Sequence, residues 1–87
     1  KTTITTKENL KMQNKQKLPA WFNGEVYSTG DTVANPFTGD TAELTPAELS
    51  MYDLIMGAQA LGAYDVMRKG LDWFRRENPT AFMVLLD

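Results

Sequence analysis

The chain has 87 residues, with nine Lys and Arg against eleven Asp and Glu, and it contains neither His nor Cys. This length fits one domain, and the missing residue types exclude disulfides, the usual zinc sites, and the Ser–His and Cys–His nucleophile pairs. No apolar run is long enough to span a bilayer. We therefore expect a soluble protein that is not an enzyme and that uses no cofactor or metal.

Charge divides the chain into two parts. Residues 1–17 are polar and carry five Lys and one Glu, for a net charge of +4, whereas residues 18–87 carry four basic and ten acidic side chains, for −6. A segment with so few apolar residues does not bury enough surface to fold alone. We predict a polar basic arm over residues 1–17 and a single small domain over residues 18–87. The arm is a candidate for electrostatic contact with an acidic body in trans.

The first predicted elements form a small antiparallel β-unit between residues 24 and 44. Short β-prone runs predict strands over residues 25–28, 32–34 and 41–44. The segment from Asn35 to Asp40 predicts a hairpin loop, because Pro36 suits a type I turn and Gly39 can take the positive φ that closes such loops.

The next stretch carries the clearest local signals. Thr45 is suited to cap a helix, Pro46 suits its first position, and Glu48 stands three residues after the cap, where a capping box needs it. Gly62 supplies the stop. The sequence therefore predicts a central helix between these two ends.

Two further helices are predicted after a short reversal. Residues 64–77 have one apolar and one charged face, and residues 80–86 are a short apolar helix. Asn78 and Pro79 end the first of these helices and begin the second. Residues 62–79 resemble the second half of a tetratricopeptide unit, which implies an αα-hairpin. The fold class is α+β: an arm, a small antiparallel β-unit and three helices.

The central helix is apolar over most of its circumference, so nearly all of its sides need cover. Two more helices and a small sheet provide little cover for it, and burial between two copies is one way to add stability to a short chain. We expect a homo-oligomer, with a two-fold dimer as the commonest arrangement. The predicted interface residues are Met51, Tyr52, Ile55 and Met56 of the central helix and Phe82, Leu85 and Leu86 of the last helix.

Basic residues cluster on the predicted helix over residues 64–77; they are Arg68, Lys69, Arg75 and Arg76. Asp65 and Asp72 lie on the same face at helical spacings from them. A face neutralised by its own carboxylates explains this pattern better than nucleic-acid binding.

Oxygen-bearing side chains also gather in the predicted hairpin, at Asp31, Asn35, Thr38 and Asp40. A calcium site needs more carboxylates at regular spacing. Turns use these residue types for their own geometry, so we expect no metal site there.

One short segment suggests a different function. Residues 27–33, with Trp21 upstream, resemble the Y-x-x-G-D-x-V segment of small chitin- and cellulose-binding domains. The resemblance implies polysaccharide binding through aromatic side chains, with Trp21 and Tyr27 as ligand-binding residues. The simpler interpretation of the adjacent Trp21 and Phe22 is that they close one edge of the core.

A broader resemblance covers residues 35–59 and 70–87. These segments look like short proteins of marine bacteriophages and ocean metagenomes. The resemblance implies a small accessory phage protein, in the host cytoplasm or associated with the virion, with a host or phage protein as a further partner. It carries over no site residues.

Overall fold

The computed structural model describes residues 16–87. The predicted arm therefore lies outside the described residues except for Gln16 and Lys17. The elements in chain order are β1 (Asp31–Ala34), β2 (Thr41–Leu44), α1 (Pro46–Leu61), α2 (Tyr64–Glu77) and α3 (Pro79–Leu85). A two-stranded antiparallel sheet followed by three helices confirms the predicted α+β class.

The two strands form a hairpin whose inner face lies against the core. Val33 pairs with Ala42 in the register, and both are half-buried. Leu44, the last residue of β2, is buried, and α1 begins two residues later. The loop is closed by two backbone hydrogen bonds, from Asn35 to the Asp40 carbonyl and from Gly39 to the Asn35 carbonyl, each 2.8 Å long. Gly39 has φ of +81°, as predicted.

The predicted strand over residues 25–28 is wrong. This segment is irregular, and its backbone is held by a side chain instead of a neighbouring strand. The backbone N–H of Tyr27 donates to Oγ of Ser50 at 2.9 Å, and that hydroxyl donates to the Pro46 carbonyl at 2.7 Å. A buried serine in α1 thus satisfies the N–H that a strand partner would otherwise have taken.

Helix α1 begins and ends where its sequence predicts. Oγ1 of Thr45 accepts from the backbone N–H of Glu48 at 3.2 Å, and Glu48 accepts in return from the N–H of Thr45 at 3.1 Å, which completes the capping box. Gly62 ends the helix in the left-handed region with φ of +72°. An L-residue with a side chain is strained there, and glycine is not.

The core lies where α1 packs on α2 and where α3 packs against β2 and α2. Its buried apolar residues are Leu44, Met51, Ile55, Ala58, Trp73, Phe74, Ala81 and Leu85. A Cβ at Gly70 would lie 2.7 Å from Cγ1 of Ile55, so this glycine lets α1 and α2 approach closely. The predicted division of α2 into an apolar and a charged face is confirmed, and its bounds match the prediction.

Helix α3 begins at Pro79 after the N-cap Asn78, as predicted, and ends at Leu85, one residue before the predicted end. Oδ1 of Asn78 caps it by accepting from the backbone N–H of Ala81 at 3.1 Å. The side-chain amide of the same asparagine donates to Glu48 at 3.1 Å. One side chain therefore fixes the start of α3 and ties it to the start of α1.

Glu48 is the centre of what we call the Glu48 network, which comprises Gln16, Thr45, Glu48 and Asn78. Glu48 is only 3% exposed, yet it accepts from the backbone of Thr45, from Asn78 and, at 2.6 Å, from the side-chain amide of Gln16. Thr45 in turn donates its hydroxyl to Oε1 of Gln16. A buried carboxylate is tolerated when its lone pairs are used in this way.

Candidate functional site

A groove of about 390 Å³ with a mainly apolar lining lies between the hairpin loop and the three helices. We call it the apolar groove. It is lined by Asn35, Pro36, Phe37, Tyr52, Ile55, Met56, Gln59, Met67, Leu71, Leu85, Leu86 and Asp87. A cavity of this size and apolar character is typical of binding sites.

One wall of the groove is the outer face of α1. Tyr52, Met56 and Gln59 follow one another at spacings of four and three residues, so they form a single stripe. Tyr52 and Met56 are half-buried and Gln59 is exposed. By contrast, Met51 and Ile55 are 0% and 1% exposed. The helix thus buries one apolar side in the core and leaves a second apolar side only partly covered.

The opposite wall comes from α2 and the end of α3. Met67 and Leu71 lie one turn apart on α2 and are half-buried. Leu85 is buried at the base of the groove, and Leu86 is half-buried beside it. Aliphatic and thioether side chains with polarisable, adaptable surfaces therefore meet across the groove, which favours an apolar partner over a polar ligand.

The hairpin loop forms the third side. Oδ1 of Asn35 accepts from the backbone N–H of Phe37 at 2.8 Å and from that of Thr38 at 3.3 Å. The amide of Asn35 donates to the carbonyl of Val84 in α3 at 2.8 Å. These bonds fix the loop against the helices and leave Phe37 95% exposed at the rim of the groove.

The structure brings together most of the predicted interface residues. Those that line the apolar groove are Tyr52, Ile55, Met56, Leu85 and Leu86. Met51 and Phe82 do not line it: Met51 is fully enclosed in the core, and Phe82 lies under the guanidinium of Arg75, which is 5.9 Å from its ring centre. Since Ile55 and Leu85 are buried as well, the surface offered to a partner is set by Tyr52, Met56 and Leu86.

Seven groove residues were not among the predicted interface positions, and the large apolar ones among them are Phe37, Met67 and Leu71. Met67 and Leu71 belong to the apolar face of α2, and helical periodicity does not separate a core position from a groove wall next to it. Phe37 gave a usable signal, because a large aromatic residue inside a loop of polar and turn-forming residues has no role in the turn itself.

The two residues of the polysaccharide hypothesis lie at different places. Trp21 lines a shallow depression of about 180 Å³ with Lys69 and Trp73, and Nζ of Lys69 stands 5.7 Å from its ring centre. Tyr27 lines another depression with Pro46 and Ala47. Sugar-binding platforms need open aromatic faces, whereas Trp21 is half-buried against the core and has a cation over its ring.

Tyr27 is held in its protonated form. Loss of solvent, and then the carboxylates of Asp53 and Glu25, raise the pKa of its hydroxyl above the ordinary value of 10.0. A phenolate is therefore disfavoured at this position.

The basic face of α2 is less neutralised than its sequence predicts. Asp72 pairs with Arg75 at 2.9 Å, and both side chains are more than half exposed, so the pair contributes little to stability. Among residues 16–87, Arg68, Lys69 and Arg76 form no ion pair with a carboxylate. The outer face of α2 therefore keeps a positive field beside the groove.

Other kinds of site find little support in the described part of the chain. Within residues 16–87, no group of three or more acidic side chains is placed to hold a metal ion. Every buried side-chain nitrogen and oxygen in that range has a hydrogen-bond partner. None of the helices described there is both long and apolar enough to cross a membrane.

Searches against protein-family models, curated proteins and solved structures gave no match for this chain. The groove and its surroundings are therefore the features of this chain that bear on its function.

Proposed function

We propose that this chain is a non-enzymatic accessory protein that acts by self-association, and that its apolar groove is the contact surface. The observation that carries the proposal is the partly covered stripe of Tyr52 and Met56 on a helix whose other apolar side is already buried. Exposed apolar surface collected in one groove is typical of protein–protein contact sites. A two-fold dimer is the expected assembly, since it is the commonest among soluble homo-oligomers.

The setting we propose is that of a small phage protein, in the host cytoplasm or attached to the virion. It is supported by the resemblance of residues 35–59 and 70–87 to short marine phage proteins. The absence of His and Cys from the chain removes the commonest acid–base and nucleophilic groups and favours a binding role over catalysis. A host or phage protein is a further candidate partner in this setting.

Analytical ultracentrifugation across the micromolar range tests the proposal. We expect a monomer–dimer equilibrium in the wild type and a monomer in Met56→Glu, because a carboxylate in the groove is costly to bury. Gln59→Glu is a second groove variant at an exposed position that the fold does not depend on.

Met83→Glu is the matched control, since Met83 is 68% exposed and does not line the groove. We expect it to associate like the wild type. A wild-type protein that remains monomeric at every concentration would contradict the proposal, as would groove variants that associate as well as the control.

A further inference from the structure

Phe37 is the most exposed large apolar side chain in residues 16–87. A Phe ring carries about 150–250 Å² of surface that is buried favourably when a partner is present. The described chain leaves this ring uncovered, although the apolar groove begins next to it. A projecting ring and a recess that fits apolar groups therefore lie on the same face of one molecule.

The loop presents this ring in a fixed position. The hydrogen bonds of Asn35 to the backbone of Phe37 and to the carbonyl of Val84 tie the tip of the hairpin to α3. A group that is already ordered loses little conformational freedom on binding. Aromatic rings held in this way are the residues that dominate the energetics of many interfaces.

The distribution of charge along the chain favours one orientation of the contact. Residues 18–63 carry six acidic and no basic side chains, and all four basic residues of the domain lie on α2. The loop with Phe37 ends at the exposed Asp40. Residues 18–63, which include the loop, are therefore acidic, whereas α2 has four basic and three acidic side chains and a net charge of +1.

The positive charge flanks the groove. Arg68 stands three residues before the groove residue Leu71 and Arg75 four residues after it, so both are neighbours of the groove wall on α2. Asp72 offsets part of the charge of Arg75. Asp87 at the groove opposes this field, but Arg68 keeps its charge without a carboxylate partner in residues 16–87. An acidic loop from another molecule is thus complementary to this wall.

From these observations we infer that the apolar groove receives Phe37 of a second copy of this chain, and that the exchange is reciprocal. In a two-fold dimer each chain supplies one ring and accepts one. A stable dimer buries about 800 Å² on each partner, so the contact extends to the rim, where Asp40 meets the partner's Arg68. The inference rests on the proposed self-association and names the group that fills the groove.

The first test removes the ring. Phe37→Ala removes one rim residue of the groove but keeps its walls on α1, α2 and α3, and it leaves the fold intact, because the ring is 95% exposed. We expect its dimer dissociation constant to rise at least thirtyfold, about the effect of losing one interface hot spot. The matched control is Leu61→Ala, which trims another apolar residue, 86% exposed and outside the groove; it should associate like the wild type.

The second test reverses the charges. Asp40→Lys alone and Arg68→Asp alone should each weaken the dimer, and the chain carrying both changes should recover most of the loss. Independent effects of the two substitutions, with no recovery in the double variant, would contradict the contact between Asp40 and the partner's Arg68.

The third test traps the contact chemically, and the absence of native Cys makes it clean. A Phe37→Cys chain is mixed with an isotope-labelled Met56→Cys chain under mild oxidation, and mass spectrometry separates mixed from like disulfides. We expect the mixed disulfide to exceed its random share. Random proportions, or a Phe37→Ala dimer as tight as the wild type, would overturn this inference while leaving self-association intact; a monomeric wild type would overturn both.

Discussion

The start of α1 and the stretch from Tyr52 onward differ in how completely the rest of the chain covers their side chains. At its start, the Glu48 network closes every buried polar group inside the chain, and even the carboxylate has three donors. Further along the helix, the stripe of Tyr52 and Met56 is only partly covered. Burying a polar group without a hydrogen-bond partner is costly in free energy, so such groups are paired within the chain. Apolar surface carries no such penalty and can stay uncovered until a partner binds. We infer that the polar groups at the start of α1 are fully satisfied within one chain, whereas the stretch that carries Tyr52 and Met56 forms one side of an interface.

The largest expected effect separates two methionines of this helix. Met51→Ala should lower the free energy of unfolding by about 2–5 kcal/mol, because it empties a fully enclosed site. Met56→Ala removes the same atoms from the groove, so its effect should be smaller and should grow with protein concentration. Urea unfolding at two concentrations measures both. Equal, concentration-independent losses for the two variants would show that Met56 is simply another core residue.

The Glu48 network gives the next effect. Glu48→Ala leaves the donors of Gln16, Thr45 and Asn78 without their acceptor, and we expect a loss of about 2–3 kcal/mol, as for hydrogen bonds to a charged group. Glu48→Gln keeps an acceptor oxygen and should lose less. The urea midpoint measures the two variants side by side, and a Glu48→Ala protein as stable as the wild type would mean that the network is not a source of stability.

Trp21 tests the polysaccharide hypothesis against a structural role. The residue packs on the core but is only half-buried, so Trp21→Ala should cost about 1.5–3 kcal/mol, below the range for a fully enclosed Trp. Thermal unfolding and a chitin and cellulose pull-down should be run on the same samples. Unchanged stability together with loss of polysaccharide binding would favour the alternative function.

The smallest of these effects concerns the N-cap. Thr45→Ala should cost about 0.5–2 kcal/mol, because it removes the acceptor for the Glu48 backbone N–H. Thr45→Ser keeps the hydroxyl and is the matched control for urea unfolding. A midpoint that does not move in Thr45→Ala would mean that this hydroxyl adds nothing to the start of α1.

Local rules were enough to predict α1, α2 and the hairpin. Caps, prolines and glycines such as Thr45, Pro46 and Gly62 act over a few residues, and a sequence displays such signals directly. The strand predicted near Tyr27 failed because its N–H is taken by Ser50, which is 23 residues away. Contacts at this range compete with β-propensity and leave no local trace.

The candidate site was only partly predictable, because local patterns do not show which residues the fold brings together. Because α1 is apolar over most of its circumference, contacts on several sides were expected. The spacing of Met51 and Met56 does not show which of them faces the core. The Glu48 network was predicted only as a capping box, because Gln16 and Asn78 come from 32 and 30 residues away. Phe37 is unusual as a large aromatic residue in a turn-forming loop, but its position beside the groove follows only from the fold.

Methionine methyl NMR on a dilution series tests the groove as the contact surface most directly. Four methionines lie in the described region, with Met51 in the core, Met56 and Met67 in the groove, and Met83 exposed elsewhere. On dilution from millimolar to low micromolar protein, we predict that the methyl signals of Met56 and Met67 shift while those of Met51 and Met83 stay in place. Signals that stay in place at all four positions, or a shift confined to Met83, would contradict the account.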